Sequence, residues 1–136
     1  MNDLNLSFED WLQKAVSTVE EQLNSAIPCD SEEPTILHEA MRYAALGPGK
    51  RVRAALVYAA GLACNTQSQL ENGLLQSLSH AAASVELIHA YSLVHDDLPC
   101  MDDDVMRRGR PTLHVAYGES LALLAADALQ PLAFER

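Results

Sequence analysis

Aromatic side chains are scarce in this chain: 5% of its 136 residues, although 49% of them are hydrophobic. Ala and Leu carry the apolar content instead, and no stretch of apolar–polar alternation of useful length is present. That combination disfavours a β-sandwich and predicts helices. Cysteine is rare and odd in number. Cys29, Cys64 and Cys100 are too far apart to suggest a disulfide framework, and none has a Cys or His at zinc spacing. Free thiols in a reducing cytosol are expected. The longest apolar run, Ala54 to Cys64, is interrupted by Gly61 and too short to cross a bilayer. The first residues lack the basic flank and apolar core of a signal peptide. A soluble, cytoplasmic protein without a membrane span is the expectation. Neither an internal repeat nor a low-complexity linker divides the chain, so one domain is expected. Positive charge is also in short supply, with nine Lys and Arg against nineteen Asp and Glu and a formal charge of −10. Nucleic acid is a poor partner for such a chain.

The helical period can be followed from end to end. Ser7 to Ile27 reads as an amphipathic helix with Ser7 as N-cap, Glu9 and Asp10 in its first turn, and Pro28 after it. Cys29 to Pro34 is a polar loop. Thr35 to Leu46 is a shorter helix stopped by Gly47-Pro48-Gly49. Lys50 to Cys64 is apolar nearly all round, which predicts a buried helix. After a turn at Asn65–Ser68, a long helix runs from Gln69 to about Leu98, where Pro99 ends or kinks it. Asp102 to Thr112 is polar and looped. Gly118 to Phe134 is a last helical segment, with a kink or early stop expected at Pro131. The final residues are still in helical register and carry no stop signal, so the sequence reads as a helix cut in its middle. The fold class is all-α.

The few cations are not scattered. Six of the nine are Lys50, Arg51, Arg53, Arg107, Arg108 and Arg110, in two short clusters. The second follows a run of acid: Asp96, Asp97, Asp102, Asp103 and Asp104 lie within thirteen residues of sequence that end at Arg107 and Arg108. Packing does not account for such a block. Carboxylate oxygens suit Mg²⁺, which is held by one or two carboxylates together with substrate phosphates. The planar fork of arginine suits phosphate oxygens. The simplest chemistry is a Mg²⁺–diphosphate site.

Within the long helix, His89 lies two turns before Asp96 on the same face, about 10 Å along the axis. By itself His89 fits a core histidine bonded to a carbonyl. Asp96 and Asp97 cannot face the same way, and Asp96, on the His89 face, is the more direct metal ligand. Asp102 can share the ion only if a turn after Pro99 brings it back. An EF-hand loop is excluded: counted from Asp102, the sixth position is Arg107 where glycine is needed. In the first cluster, glycines precede a helix N-terminus, a setting that favours an anion. Lys50 and Arg53 share a face there while Arg51 points elsewhere. The spacing is not that of a Walker A loop.

Taken together, Gly49-Lys50-Arg51-Val52-Arg53, the run from His89 to Asp102, and Arg107-Arg108-Gly109-Arg110-Pro111-Thr112 resemble the first half of a trans-isoprenyl diphosphate synthase, most closely those of the bacterial farnesyl diphosphate synthase type. The resemblance implies an isoprenoid-synthase-type helical bundle, with residues 1–136 as the N-terminal portion of a single, truncated polyprenyl synthase domain. It implies a prenyltransferase that condenses an allylic diphosphate (dimethylallyl or geranyl diphosphate) with isopentenyl diphosphate. By motif, Asp96 and Asp102 would bind Mg²⁺ with Asp97 in support. Arg107 would hold the allylic diphosphate, and Lys50, Arg53, His89 and Arg108 the isopentenyl diphosphate. Tyr91 and Ser92 would border the prenyl-chain pocket, and the bulk of Tyr91 favours a short product such as farnesyl diphosphate. The family also implies a homodimer.

Three departures accompany the likeness. A second aspartate-rich motif, which the family carries in its C-terminal half, is absent from these 136 residues, so the chain alone is expected not to turn over substrate. Ala126 stands where the family often has glycine, and Pro131 interrupts the last helix; both bear on packing. Two other functions compete. A terpene cyclase-like enzyme shares one aspartate motif but has no use for the basic clusters. A non-catalytic partner subunit of a synthase has no use for intact aspartates and arginines.

Overall fold

A computed structural model describes residues 7–65 and 72–135. Ser7 starts the first helix, α1 (Phe8–Ala26), by accepting the Asp10 N–H at 3.1 Å. The apolar stripe of this helix, Ala15, Val19 and Leu23, is fully buried. Then come α2 (Thr35–Ala45), α3 (Val52–Cys64) and α4 (Asn72–Asp96). A two-stranded antiparallel hairpin, β1 (Met106–Arg107) and β2 (Arg110–Pro111), leads into a one-turn helix α5 (Leu113–Tyr117) and into α6 (Glu119–Phe134). Helix α4 is the hub, packed against α1, α2, α3 and α6. Leu87 on α4, Tyr58 on α3 and Leu129 on α6 are the largest fully buried side chains of this centre, with Val19 and Leu23. The hydroxyl of Tyr58 donates to Ser79 Oγ at 3.1 Å, so its one polar atom is satisfied within the core. The fold is the all-α bundle expected.

Several boundaries differ from the sequence reading, each for a local reason. Helix α3 begins at Val52, because Arg51 adopts a left-handed conformation (φ 47°, ψ 36°) that a helix cannot include. It is not buried all round: Ala54, Ala55 and Tyr58 face α4 and α1, whereas Leu56 is 63% exposed. The segment 102–112 holds the hairpin. Helix α6 runs through Pro131 to Phe134 without the early stop, since only the last turn lies beyond the missing N–H. Ala126 is completely buried in the core cluster. The turn and helix start placed between residues 66 and 71 lie outside the described residues. Among the described residues, no helix is long and apolar enough to cross a membrane.

Candidate functional site

The C-terminus of α4 presents the aspartates. Past Asp97 the chain folds back on itself: Met101 N–H donates to the Leu98 carbonyl at 2.8 Å, and Asp103 N–H to the same carbonyl at 3.2 Å. Between them, Asp102 N–H donates to the carbonyl of Asp96 at 2.9 Å. This turn brings the backbone of Asp102 back to Asp96 in spite of Pro99. Both side chains are exposed.

Asp97 points the other way and is only 4% exposed. Arg107, arriving from β1, covers it. Its Nε donates to both carboxylate oxygens at 2.9 Å and its Nη2 donates to Oδ1 at 2.6 Å. Asp104 adds a longer contact at 3.5 Å. These bonds to Asp97, and the negative charge around them, raise the pKa of Arg107 above its already high value. One edge of the Arg107 fork is thus committed to a protein carboxylate.

The hairpin turns at Arg108 (φ 52°) and Gly109 (φ 79°), two successive residues with positive φ, as a two-residue hairpin loop with right-handed twist requires. Arginine is an unusual choice there. Its side chain explains it: Nη1 donates to the carbonyl of Pro48 at 2.8 Å. The hairpin is pinned further by Arg110, whose guanidinium lies 3.5 Å from the centre of the Tyr43 ring and donates to the Tyr43 carbonyl at 3.1 Å. Tyr43 in turn donates to the carbonyl of Pro111 at 2.9 Å. A Cβ placed on Gly49 would lie 2.5 Å from Nη1 of Arg108, so only glycine lets the guanidinium approach this closely.

The two basic clusters, distant in sequence, therefore meet. Arg53 at the start of α3 and His89 on α4 border one groove, and Arg108 on the hairpin is near enough to act on His89 electrostatically. His89 records their convergence: burial lowers its pKa first, then the positive charge of Arg53, with Arg108 and Arg107 adding to the effect and Glu86 opposing it. Lys50, beside Gly49, is exposed. Between α2, α4 and the hairpin lies a cleft of about 60 Å³, lined by Tyr43, Pro48, Asp97, Arg107, Arg108 and Arg110 among others. It has room for about two water molecules. A wider, more apolar groove of about 410 Å³ is bordered by Arg53, Val85, Ile88, His89 and Phe134. Tyr91 and Ser92 line neither: the Tyr91 ring packs on His95 at 4.5 Å between centroids, and Ser92 Oγ donates to the His89 carbonyl at 2.9 Å.

Among the described residues, no group of three or more His, Cys, Asp or Glu gathers into a protein-only metal cage. The exposed pair Asp96 and Asp102 does fit a hard cation that completes its coordination with water and phosphate oxygens, the usual manner of Mg²⁺. Asp97 is bound to Arg107. Sequence reasoning places Arg110 in the second basic cluster without a role of its own, and it does not find Tyr43, Glu86 or the buried role of Arg51. Nothing in local spacing marks Tyr43 or Glu86, whose partners lie far along the chain, and Arg51 was read as pointing elsewhere.

The family model for polyprenyl synthetase matches residues 34–136. Farnesyl diphosphate synthase of Haemophilus influenzae is 47% identical over 128 residues, which are 94% of this chain and 41% of that protein. The chloroplastic geranylgeranyl pyrophosphate synthase of Capsicum annuum is 49% identical over 129 residues, 95% of this chain and 32% of that protein. The crystal structure of an FPP/GFPP synthase from Zymomonas mobilis superposes with a TM-score of 0.81 at 38% identity, covering 93% of this chain and 43% of that one. The chain thus spans well under half the length of the relatives it matches. With the family model matched from the start of α2 onward and the bundle shared with a solved synthase, this chain belongs to the polyprenyl synthetase family.

Proposed function

We propose that this chain binds the two diphosphates of a trans-prenyltransferase, which joins an allylic diphosphate such as dimethylallyl or geranyl diphosphate to isopentenyl diphosphate and yields a short-chain product such as farnesyl diphosphate. The observation that carries this reading is the bond from Arg108 to Pro48, which joins the aspartate–arginine hairpin to the basic loop and sets two anion-binding clusters side by side. A cyclase acts on one diphosphate and needs one cluster, so this juxtaposition favours the synthase over a terpene cyclase-like enzyme. A non-catalytic partner subunit needs neither cluster.

In this reading Lys50, Arg53, His89 and Arg108 hold the diphosphate of isopentenyl diphosphate, and Arg107, steadied by Asp97 along one edge of its fork, meets the allylic diphosphate with the other. Asp96 and Asp102 hold Mg²⁺, which when bound neutralises the charge that grows on the departing diphosphate. The bond between the allylic carbon and the diphosphate oxygen breaks, the double bond of isopentenyl diphosphate forms the new carbon–carbon bond, and a proton is lost. Cations placed beforehand around the phosphate oxygens contribute most as that charge develops.

Calorimetric titration separates the two clusters. Isopentenyl diphosphate should bind the chain and lose about tenfold or more in affinity on Arg53→Ala, the loss of one charge-assisted contact. Geranyl diphosphate should bind only with Mg²⁺ present, and Asp102→Asn should weaken that Mg²⁺-dependent binding at least tenfold while leaving isopentenyl diphosphate unaffected. Equal binding of both ligands by wild type and variants would refute the assignment.

A further inference from the structure

Helix α3 begins where a helix gains no help from its own N-cap. Arg51 occupies that position, makes no capping bond, and holds a left-handed conformation that residues other than glycine seldom keep without support. Its guanidinium has donors only, so it cannot receive the first amides of α3. The support comes from α4. Glu86 is 4% exposed. Its Oε1 accepts the N–H of Ala54, in the first turn of α3, at 3.2 Å, and its Oε2 lies 3.5 Å from Nη1 of Arg51. Nη2 of Arg51 donates to the carbonyls of Ala45 at 3.0 Å and Gly47 at 3.1 Å, which ties the turn to the end of α2. Glu20 of α1 approaches Nε at 3.6 Å.

One carboxylate from another helix therefore does two things. It supplies the cap that the N-cap residue lacks, and it balances the charge of the side chain that fixes the loop. A buried ion pair is a poor source of net stability, because apolar side chains of similar volume serve as well or better; its best-attested use is to select one geometry. The geometry selected here has direct neighbours. Lys50 precedes Arg51, Arg53 follows by two residues, and both project into solvent. His89 lies one turn beyond Glu86 on the same face of α4.

We infer that Glu86 is a positioning residue for diphosphate binding: through Arg51 and the Ala54 amide it sets the turn that aims Lys50 and Arg53 at the place His89 faces. Glu86 itself does not touch the ligand. The inference rests on the diphosphate-site reading given above.

Inorganic pyrophosphate with Mg²⁺, titrated calorimetrically into the 136-residue chain, provides the test. Lys50→Ala reports whether the site is the one described. Glu86→Gln keeps an acceptor for the Ala54 amide but removes the charge facing Arg51, and so holds the fold where Glu86→Ala can lose it; far-UV dichroism and the urea midpoint check this. The expected result is that Lys50→Ala and Glu86→Gln each weaken binding about tenfold, the scale of one charged hydrogen bond. In the double variant Glu86→Gln should have less effect than it does alone, because one of the two cations it aims is gone. Wild-type affinity in a folded Glu86→Gln, or losses that multiply fully in the double variant, would overturn the inference while the site stands. Unchanged binding by Lys50→Ala would overturn the site reading, and the role of Glu86 with it.

Discussion

His89 is the residue on which the site's electrostatics converge. Its partial burial disfavours protonation most, the positive charges of Arg53, Arg108 and Arg107 add to that, and Glu86 alone opposes them. An unfolded chain releases the imidazole to its ordinary value near 6.5, whereas the folded chain holds it lower. Above that value both states are neutral and nothing is lost. As pH falls through it, the unfolded state takes up the proton first, so stability declines until the folded pKa is passed and then stays level. His89→Gln removes this loss. Urea midpoints from neutral to mildly acidic pH should therefore fall less steeply for His89→Gln than for the wild type, the other four histidines contributing equally to both. Parallel slopes would show that neither burial nor the cations shift the imidazole. A bound diphosphate reverses the local field, so His89 should gain a proton on binding and become a donor to the ligand. Asp97 and Arg107 illustrate a different use of charge. With Asp97 buried and Arg107 about two-thirds covered, their pairing fixes the hairpin to the end of α4 before any ligand arrives.

At the scale of elements, what could be read from the sequence is what is encoded within a turn or two. Ser7 caps α1 through a bond to Asp10, and the stripe Ala15, Val19, Leu23 buries with the expected period, because cap and stripe are local. The left-handed turn before α3 was not legible, since its cap comes from Glu86, thirty-two residues from the amide it receives. Nor was the hairpin, whose two-residue strands are too short to show alternation and whose Arg108 turn is justified only by Pro48, sixty residues away. The short α5 offers one turn, too little to show a period. The return of Asp102 to Asp96 was stated as a requirement, and the chain meets it with a backbone hydrogen bond that spacing alone does not specify. Pro131 marks the limit of propensity arguments. It leaves the Asp127 carbonyl without its i+4 donor, but in the last turn of α6 a helix tolerates this where tertiary contacts from Leu129 and Ala133 hold both sides. Pro131→Ala should restore that donor on an exposed face and stabilise the chain by about 1 kcal/mol, less than the ~3 kcal/mol of a mid-helix proline because only one turn follows it. A higher urea midpoint with an unchanged slope is the expected readout; a lower one would mean that the proline ring packs in a way the alanine cannot replace.

Across the whole molecule, binding and turnover make different demands. The bundle gathers its cations about one end of α4, where the hairpin and the basic loop meet, and most of the remaining charge is acidic. In the proposed function such a surface would recruit and orient diphosphates through a few fixed groups and through Mg²⁺ held by the exposed carboxylates of Asp96 and Asp102. Breaking the allylic carbon–oxygen bond asks for more. The departing diphosphate develops charge that must be met by groups already in place, and each missing donor to such a transition state costs roughly 10²–10³ in rate. Here Asp97 is occupied by Arg107, and beyond Asp96 and Asp102 the described residues offer no further cluster of metal ligands facing them. The expectation is therefore a chain that binds but does not react: with geranyl diphosphate, radiolabelled isopentenyl diphosphate and Mg²⁺, these 136 residues should show saturable binding of both ligands and no prenyl product above a protein-free control. Product formation that is abolished by Asp96→Asn would prove this wrong, for it would mean that one pair of carboxylates and one set of cations suffices to drive ionisation.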